Sequence, residues 1–406
     1  MIGEPENQFH VTRAARIAGR CAIQHNCLPF AVLLAICILF FALDLGCCRA
    51  ASRDSATLQK VWDTAVANGF SGGAMVIAGT NTLLFEVRSS AHSNQFVLRK
   101  DTPLPICSVT KAMTAKIVFD LIDERKLALE GTLKIYRPWI PVFAENITLR
   151  QLLTHTSGLR NMDQALGVDA NGVSRIYLTF DASLQPLQSR ILRVVGDRAT
   201  APAGTKYDYN NADFLLLQAV AERVSGRAFD ELLLHHVFRP AGMPGSSLAS
   251  WDSAGAFMVD CYAVEGEKET SLDRFNMAIY GGAGGVVSTP DDLVKWLKYM
   301  LLPAGGRPLL LSGSQFGGFQ GFGGYASRST LVRKKLALPG DEAVYERPGA
   351  INGYTLQVSF LPERGLAAAA FSNRAGQKLG SVYEGSGLVA ELLTAACQGL
   401  SEAPTR

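Results

Sequence analysis

Apolar positions near residue 58 first follow a helical period and then gather into two short runs. From Leu58 to Ala65 they recur every three to four residues, which predicts an amphipathic helix. Residues 74–78 and 83–87 are mostly apolar and lie on either side of Gly79-Thr80-Asn81, an arrangement that predicts a hairpin of two strands. A hairpin this early favours an antiparallel sheet over a doubly wound parallel sheet.

The stretch from about residue 110 to 280 has mainly helical periodicity. One apolar helical face follows Ser108 and consists of Val109, Met113, Ile117, Val118 and Leu121. Further helices are predicted at residues 212–224 and 229–238, and the first of them ends before a glycine suited to a left-handed stop. Residues 289–292 predict another helix start, because they combine a capping hydroxyl, a proline and two acidic side chains.

The last hundred residues return to strands. Residues 354–361 and 366–372 read as two strands joined by a turn, and residues 388–397 as a terminal helix. The order of elements is therefore helix, hairpin, helical block, strands and final helix. This order predicts an α+β fold, in which an antiparallel sheet built from both chain ends is flanked by helices and carries an inserted all-helical subdomain.

The same pattern divides the chain into a leader at residues 1–50 and a folded domain at 51–406. Within that domain we place the sheet part at about 56–107 and 281–398, and the helical part at about 108–280.

The leader has the features of an export signal. Arg13, Arg16 and Arg20 precede residues 28–43, which are apolar and carry no charge. Small residues near position 50 are spaced like a signal-peptidase site, and the positive side of such a segment stays cytoplasmic. We expect an exported protein that is periplasmic, secreted or membrane-anchored, and an uncleaved tether through residues 28–46 is an open alternative.

Composition narrows the range of functions. The chain has 406 residues, 48% of them hydrophobic, with a net charge of +3 and no basic run, which argues against a nucleic-acid surface. Five of the eight cysteines lie in the leader, and Cys107, Cys261 and Cys397 have no metal-binding spacing. No cofactor or metal is expected, and Cys107 reads as a core residue rather than a nucleophile. The sequence does not indicate an oligomeric state.

Ser108 and Lys111 form the first candidate site. If Ser108 opens a helix, Lys111 lies three residues later on the same face and places an amine beside the hydroxyl. A hydroxyl needs a base to become a nucleophile, and a desolvated lysine can be that base. This tetrapeptide pattern alone also occurs by chance.

Two later stretches of the chain supply further residues for this candidate site. Tyr209-x-Asn211 places a phenol and an amide on one short loop before a helix, where the phenol can pass a proton and the amide can hold the lysine. Arg347-Pro348-Gly349 places a cation beside a glycine that lets a substrate approach a late strand. Taken singly, each stretch has a structural interpretation as well.

The Ser-x-x-Lys, Tyr-x-Asn and cation-x-Gly motifs, in this order, resemble the serine beta-lactamase and penicillin-binding-protein-like superfamily. The similar branch contains class C beta-lactamases, D-alanyl-D-alanine carboxypeptidases and related esterases. Residues 147–159 and 281–293 also fit that resemblance, which covers about residues 56–398.

The resemblance implies a role for each residue. Ser108 would attack a carbonyl and become acylated, Lys111 and Tyr209 would move its proton, and Asn211 would orient Lys111 and the acyl amide. The backbone N–H groups of Ser108 and Ala350 would stabilise the oxyanion, and water would then release the acyl group.

The third motif departs from the family pattern, which has Lys or His followed by a small, often hydroxyl-bearing residue. Arg347 keeps the positive charge but holds its proton, and Pro348 supplies no hydroxyl. The sequence therefore favours an esterase or peptidase-like role on a small-molecule or peptide substrate. A true class C beta-lactamase or D-alanyl-D-alanine carboxypeptidase and a catalytically idle binding or scaffold protein are the alternatives.

Other motifs have weaker interpretations. His155 could suggest a Ser-His-Asp triad, but the chain has no Gly-x-Ser-x-Gly elbow, so a structural histidine is favoured. His235 and His236 are adjacent on a predicted helix, which is poor geometry for binding a metal. Residues 281–285 lack phosphate-loop spacing and are expected to pack closely beside the active cleft.

Overall fold

A computed structural model gives the fold of the region that follows the leader. It describes residues 55–89, 97–136, 139–167, 186–250, 260–265, 268–272, 276–303, 305, 325–327, 342, 344–351, 353–377, 379–380 and 385–401. The predicted export signal at residues 1–50 lies outside these ranges.

The elements of the described chain are numbered here in order. The helices are α1 (55–67), α2 (Thr110–Asp123), α3 (Leu133–Tyr136), α4 (Leu149–Leu153), α5 (Met162–Ala165), α6 (Leu187–Val195), α7 (Asn211–Ser225), α8 (Phe229–Leu233), α9 (Arg239–Ala241), α10 (Gly281–Gly284), α11 (Pro290–Leu301) and α12 (Leu388–Ser401). The strands are β1 (Gly72–Ala78), β2 (Asn81–Arg88), β3 (Leu104–Pro105), β4 (Ser247–Leu248), β5 (Tyr262–Glu265), β6 (Lys268–Ser271), β7 (Val286–Ser288), β8 (Tyr325–Ser327), β9 (Val344–Ile351), β10 (Tyr354–Leu361) and β11 (Leu366–Ser372).

The main sheet combines strands from both ends of the chain. Its order is β2-β1-β11-β10-β9-β8, and each neighbouring pair is antiparallel. Ala74 of β1 pairs with Ala370 of β11 on one side and with Glu86 of β2 on the other. The predicted α+β class with an antiparallel sheet is confirmed.

Alternation along the central strands divides the interior into two cores. Met75 and Ile77 of β1 face a core shared with the helical block, whereas Ala74 and Val76 face a core shared with α1 and α12. Strand β11 follows the same rule with mostly alanine side chains, which let helices lie close to both faces. The sheet is therefore a middle layer with helices on either side.

The helical block is less uniform than the periodicity suggested. Residues 229–238, predicted as one helix, form α8 followed by a π-helical turn at Leu234–Phe238. The short strands β4, β5 and β6 also lie in the stretch predicted to be mainly helical. They have two to four residues each, too few for an alternation of side chains to stand out in the sequence.

Three properties of the described residues bear on function. None of their helices is both long and apolar enough to cross a membrane. They contain no cluster of three His, Cys, Asp or Glu side chains placed to hold a metal ion. Cys107, Cys261 and Cys397 are buried free thiols.

Candidate active site

Ser108 lies in a single 3₁₀ turn, Cys107–Val109, between β3 and the first residue of α2. The sequence placed it at a helix start, and the regular α-helix begins two residues later. Cys107 has a φ of 48°, a backbone conformation that L-residues rarely adopt and that is common beside functional groups. Burial raises the pKa of the Cys107 thiol, so this side chain stays protonated, as expected of a core cysteine.

Lys111 has no exposed surface, and three oxygen atoms surround its Nζ. Nζ donates to Asn211 Oδ1 at 2.6 Å and to the Ala283 carbonyl at 2.7 Å, and it lies 3.2 Å from Ser108 Oγ. Two strong carbonyl acceptors thus fix two of its N–H groups. The remaining position on the nitrogen faces the serine hydroxyl.

Burial is the main reason that the pKa of Lys111 lies well below its usual value of 10.5. The guanidinium of Arg347 lowers this pKa further, while the carboxylates of Asp163 and Asp213 oppose the shift. The uncharged amine, which can accept a proton, is therefore favoured at this position.

Tyr209 and Asn211 lie at the start of α7, where Asn210 caps the helix by accepting from the Ala212 N–H. The Tyr209 hydroxyl is 2.7 Å from Ser108 Oγ, and Lys111 Nζ lies 4.8 Å from the centre of the Tyr209 ring. Asn161 Nδ2 donates to the Tyr209 carbonyl at 2.8 Å, which fixes the loop. The serine hydroxyl therefore lies between an amine and a phenol.

His155 supports this loop from behind. Its ring packs against Tyr209 with centroids 4.6 Å apart, and its Nδ1 accepts from the Asn210 N–H at 3.3 Å. The same Nδ1 lies 3.1 Å from Asp213 Oδ2. Burial lowers the pKa of His155 and raises that of Asp213. His155 is structural, as the sequence indicated.

Strand β9 brings the third motif to the same place. Arg347 is buried, and its charge acts on both Lys111 and His155. A Cβ on Gly349 would lie 3.3 Å from the Ser108 nitrogen and 3.0 Å from the Ile106 carbonyl oxygen, so this glycine allows β9 to approach the serine turn. Ala350 follows on the exposed side of the strand and lines the cleft.

The glycine-rich stretch forms α10 at the base of the site. Besides the Ala283 carbonyl that binds Lys111, the Gly282 carbonyl accepts from Thr114 Oγ1 at 2.6 Å. The Gly282 N–H donates to Gln218 Oε1 at 2.8 Å. The sequence predicted close packing here but did not identify Ala283, because a main-chain carbonyl has no sequence signature.

A cleft of about 530 Å³ opens at Ser108. Its walls include Tyr209, Asn211 and Ala350, and also Asp163 and Tyr280, two residues that the sequence interpretation missed. Asn211 Nδ2 donates to both oxygens of Asp163 at 3.3 Å, and the Tyr280 hydroxyl donates to Asp163 Oδ1 at 3.3 Å. Four of the seven predicted site residues, Ser108, Tyr209, Asn211 and Ala350, thus line this cleft, and Asp163 adds a carboxylate to its wall. Lys111, Arg347 and Gly349 are buried and do not line it.

The chain is similar in sequence and in fold to known proteins. The model of the family described as Beta-lactamase matches residues 56–384. The chain is 30% identical over 214 residues to a D-aminopeptidase of Brucella anthropi, and 28% identical over 240 residues to the D-alanyl-D-alanine-carboxypeptidase/endopeptidase AmpH of Escherichia coli. These alignments cover 51% and 58% of this chain.

The same alignments span only 38% of the D-aminopeptidase and 58% of the carboxypeptidase/endopeptidase. Among solved structures, the D-amino acid amidase of Ochrobactrum anthropi SV3, in complex with L-phenylalanine, superposes with a TM-score of 0.66 at 18% identity. That superposition covers 87% of this chain and all of the amidase, and at this identity it establishes a shared fold.

Proposed function

This chain belongs to the beta-lactamase family, and from that premise we propose that it is a serine hydrolase that cleaves an ester or amide through an acyl-Ser108 intermediate. The observation that carries the proposal is the hydrogen-bond network in which the Ser108 hydroxyl lies 3.2 Å from a buried Lys111 amine and 2.7 Å from the Tyr209 hydroxyl. A nucleophile and its base within hydrogen-bond reach are what acyl transfer requires.

Acylation begins with proton transfer from Ser108. Lys111 is held by Asn211 and the Ala283 carbonyl, so the lone pair of the neutral amine faces the serine hydroxyl and accepts its proton. Ser108 Oγ then attacks the carbonyl carbon. The negative charge that develops on the carbonyl oxygen is stabilised by the N–H groups of Ser108 and Ala350, which the narrow contact at Gly349 brings near each other.

Tyr209 completes the cycle from the other side of the serine. Its hydroxyl passes a proton to the leaving alcohol or amine, and the acyl group stays on Ser108. Water then attacks the acyl-enzyme and gives a proton to the Tyr209 phenolate, Lys111 returns its proton to Ser108, and the acid is released.

Two features support amides and esters rather than beta-lactams as substrates. Arg347 does not release its proton, and Pro348 has no hydroxyl for a substrate carboxylate. The names of the relatives, D-aminopeptidase and carboxypeptidase/endopeptidase, favour amide substrates. We also propose that the protein is exported, on the strength of the uncharged apolar residues 28–43 behind three arginines.

The test combines covalent labelling with turnover. We expect a fluorophosphonate to add one adduct to the unmutated protein by intact mass, and none to Ser108→Ala. Ser225→Ala is the matched control, since the Ser225 hydroxyl donates to the Ala221 carbonyl of its own helix, and it should label normally. Steady turnover of p-nitrophenyl acetate that disappears in Lys111→Ala would exclude an idle scaffold. Persistent labelling of Ser108→Ala would refute the assignment.

A further inference from the structure

Asp163 differs from the other described residues that line the cleft. It is the only Asp or Glu among them, and none of them is Lys, Arg or His. Contacts of 2.7, 3.4 and 3.3 Å lead from Ser108 Oγ to Tyr209, from Tyr209 to Asn211, and from Asn211 to the Asp163 carboxylate. The carboxylate therefore belongs to the same wall as the nucleophile and lines the cleft that a substrate would enter.

The orientation of Asn211 decides what this wall can bind. Asn211 Oδ1 accepts from Lys111, so Nδ2 is the end of the amide that is left to meet a substrate. In this chain Nδ2 donates to both oxygens of Asp163. An acylamide carbonyl placed there would compete with Asp163 for that donor and would also face a carboxylate, which offers it only acceptors.

A positively charged group would be attracted by the Asp163 carboxylate at the position where an acyl carbonyl would be repelled. We propose that Asp163 binds the protonated α-amine of the substrate, so that the protein acts on esters, amides or peptides of amino acids whose amino group is free. This inference rests on the proposed function, because it assigns the substrate of the same Ser108 cleft. It replaces the expectation that Asn211 binds an acyl amide of the substrate.

The length of an aminoacyl group sets the separation that the inference requires. The amine nitrogen of an amino acid lies about 2.5 Å from its carbonyl carbon. A charge-assisted hydrogen bond to a carboxylate adds about 2.8 Å. An aminoacyl group with its carbonyl carbon at Ser108 therefore reaches a carboxylate oxygen at most about 5 Å from that carbon, and its amine keeps further donors for the second carboxylate oxygen.

Asp163 could instead act only as a positioning residue that keeps Asn211 turned towards Lys111. The two roles predict different kinetics. Loss of positioning would slow all substrates alike, whereas loss of an ammonium site would slow only those with a free amine. The ratio of two kcat/KM values measured on one protein therefore separates them.

The experiment measures kcat/KM for alanine p-nitroanilide and N-acetylalanine p-nitroanilide, in both the D and L forms, on the full chain. We expect the unmutated protein to prefer the free amine of the better enantiomer by at least tenfold. In Asp163→Asn this preference should fall at least tenfold. Asp123→Asn removes an exposed carboxylate from the last turn of α2 and should keep the preference of the unmutated protein.

The preference should also fall as the pH rises through the pKa of the substrate amine, because the neutral amine makes no ion pair. A ratio that is the same within twofold in Asp163→Asn, or a preference for the N-acetyl substrate, would overturn the inference. Turnover of p-nitrophenyl acetate without turnover of either anilide would overturn it while leaving the proposed function intact. Absence of turnover with both anilides, in either enantiomeric form, and with p-nitrophenyl acetate would refute the proposed function itself.

Discussion

Lys111 carries the proposed chemistry because its surroundings favour the uncharged amine. Burial removes the water that would stabilise an ammonium ion, and the cation of Arg347 lies close enough to disfavour a second positive charge. Asp163 and Asp213 act in the opposite sense. The basicity of Lys111 is thus set by burial and by charges on elements other than α2.

These opposed charges predict opposite changes in the pH profile. The base must be deprotonated, so kcat/KM for a neutral ester falls as the pH drops through the pKa of Lys111, which lies well below 10.5. Arg347→Gln removes a positive charge, raises this pKa and moves the acidic limb to higher pH. Asp163→Asn removes a negative charge and moves the limb to lower pH. The measurement is the pH dependence of p-nitrophenyl acetate hydrolysis.

Arg198→Gln is the matched control for these profiles, because Arg198 is exposed and its loss changes the net charge by the same amount as Arg347→Gln. The acidic limb of the pH profile of Arg198→Gln should stay at the pH found for the unmutated protein. Shifts of both site variants in the same direction would contradict the account given for Lys111.

The sequence was sufficient to predict those candidate site residues that occur in short motifs. Ser108 with Lys111, and Tyr209 with Asn211, stand at short spacings beside helix starts, which predicted the proximity within each pair. The resemblance to the family predicted that the two pairs meet, and their roles remain predictions. Asp163 could not be found in this way, because it lies on the four-residue helix α5 and its importance depends on a contact with Asn211 from another helix.

At the scale of elements, two glycines show how a contact between two loops fixes the position of the site. Gly158 and Gly226 both have a φ of 69°, in the left-handed region. Gly226 ends α7 with no neighbouring atom near its missing side chain, whereas a Cβ on Gly158 would collide with the Ala201 carbonyl oxygen. The Gly158 carbonyl also accepts from the Thr200 N–H at 2.8 Å, which ties the loop after His155 to the segment before Tyr209.

This pair provides a matched test of stability. Gly226→Ala should lower the free energy of unfolding by about 1–2 kcal/mol, the cost of the left-handed conformation for an L-residue. Gly158→Ala carries the same cost and adds about 1–3 kcal/mol for the collision with Ala201. Urea unfolding of both variants measures the difference. Equal losses would show that the loop relaxes and that the contact at Gly158 is not tight.

Some element bounds follow from the pattern and others do not. β10 and β11 have the predicted bounds, 354–361 and 366–372, because each is a clear apolar run ended by the turn that contains Gly365. The π-helical turn at Leu234–Phe238 was missed, since apolar spacing does not distinguish it from an α-helix. His236 Nδ1 lies 3.0 Å from Asp120 Oδ2 on α2.

In the whole molecule, α12 closes one face of the sheet. Leu388, Val389, Leu392 and Leu393 are buried there together with residues of α1 and β11. Hydropathy predicted that this helix exists, but it did not predict its partners, because an apolar face specifies burial and not the surface that covers it. The core formed by α12 is separate from the one that contains Cys107 and Val109, the neighbours of Ser108.

This separation predicts that stability and activity respond differently to a cavity in that core. Leu392→Ala should lower the free energy of unfolding by about 2–5 kcal/mol, while the folded fraction keeps the kcat of the unmutated protein at 25 °C. Glu391→Gln, on the exposed side of the same helix, should cost no more than about 1 kcal/mol. Urea unfolding monitored by fluorescence, combined with ester hydrolysis, checks both. A fall in kcat at full folding in Leu392→Ala would contradict the separation.

The pairing of β1 with β11 forms late during synthesis of the chain. The two strands are roughly 300 residues apart in the chain, so at about 5–20 residues per second β1 waits on the order of 15–60 s for its partner. During that interval β1 and β2 form at most a hairpin, which is marginal in water. For export as proposed above, this delay keeps the chain threadable, because its central sheet closes only after almost all of the chain has been made.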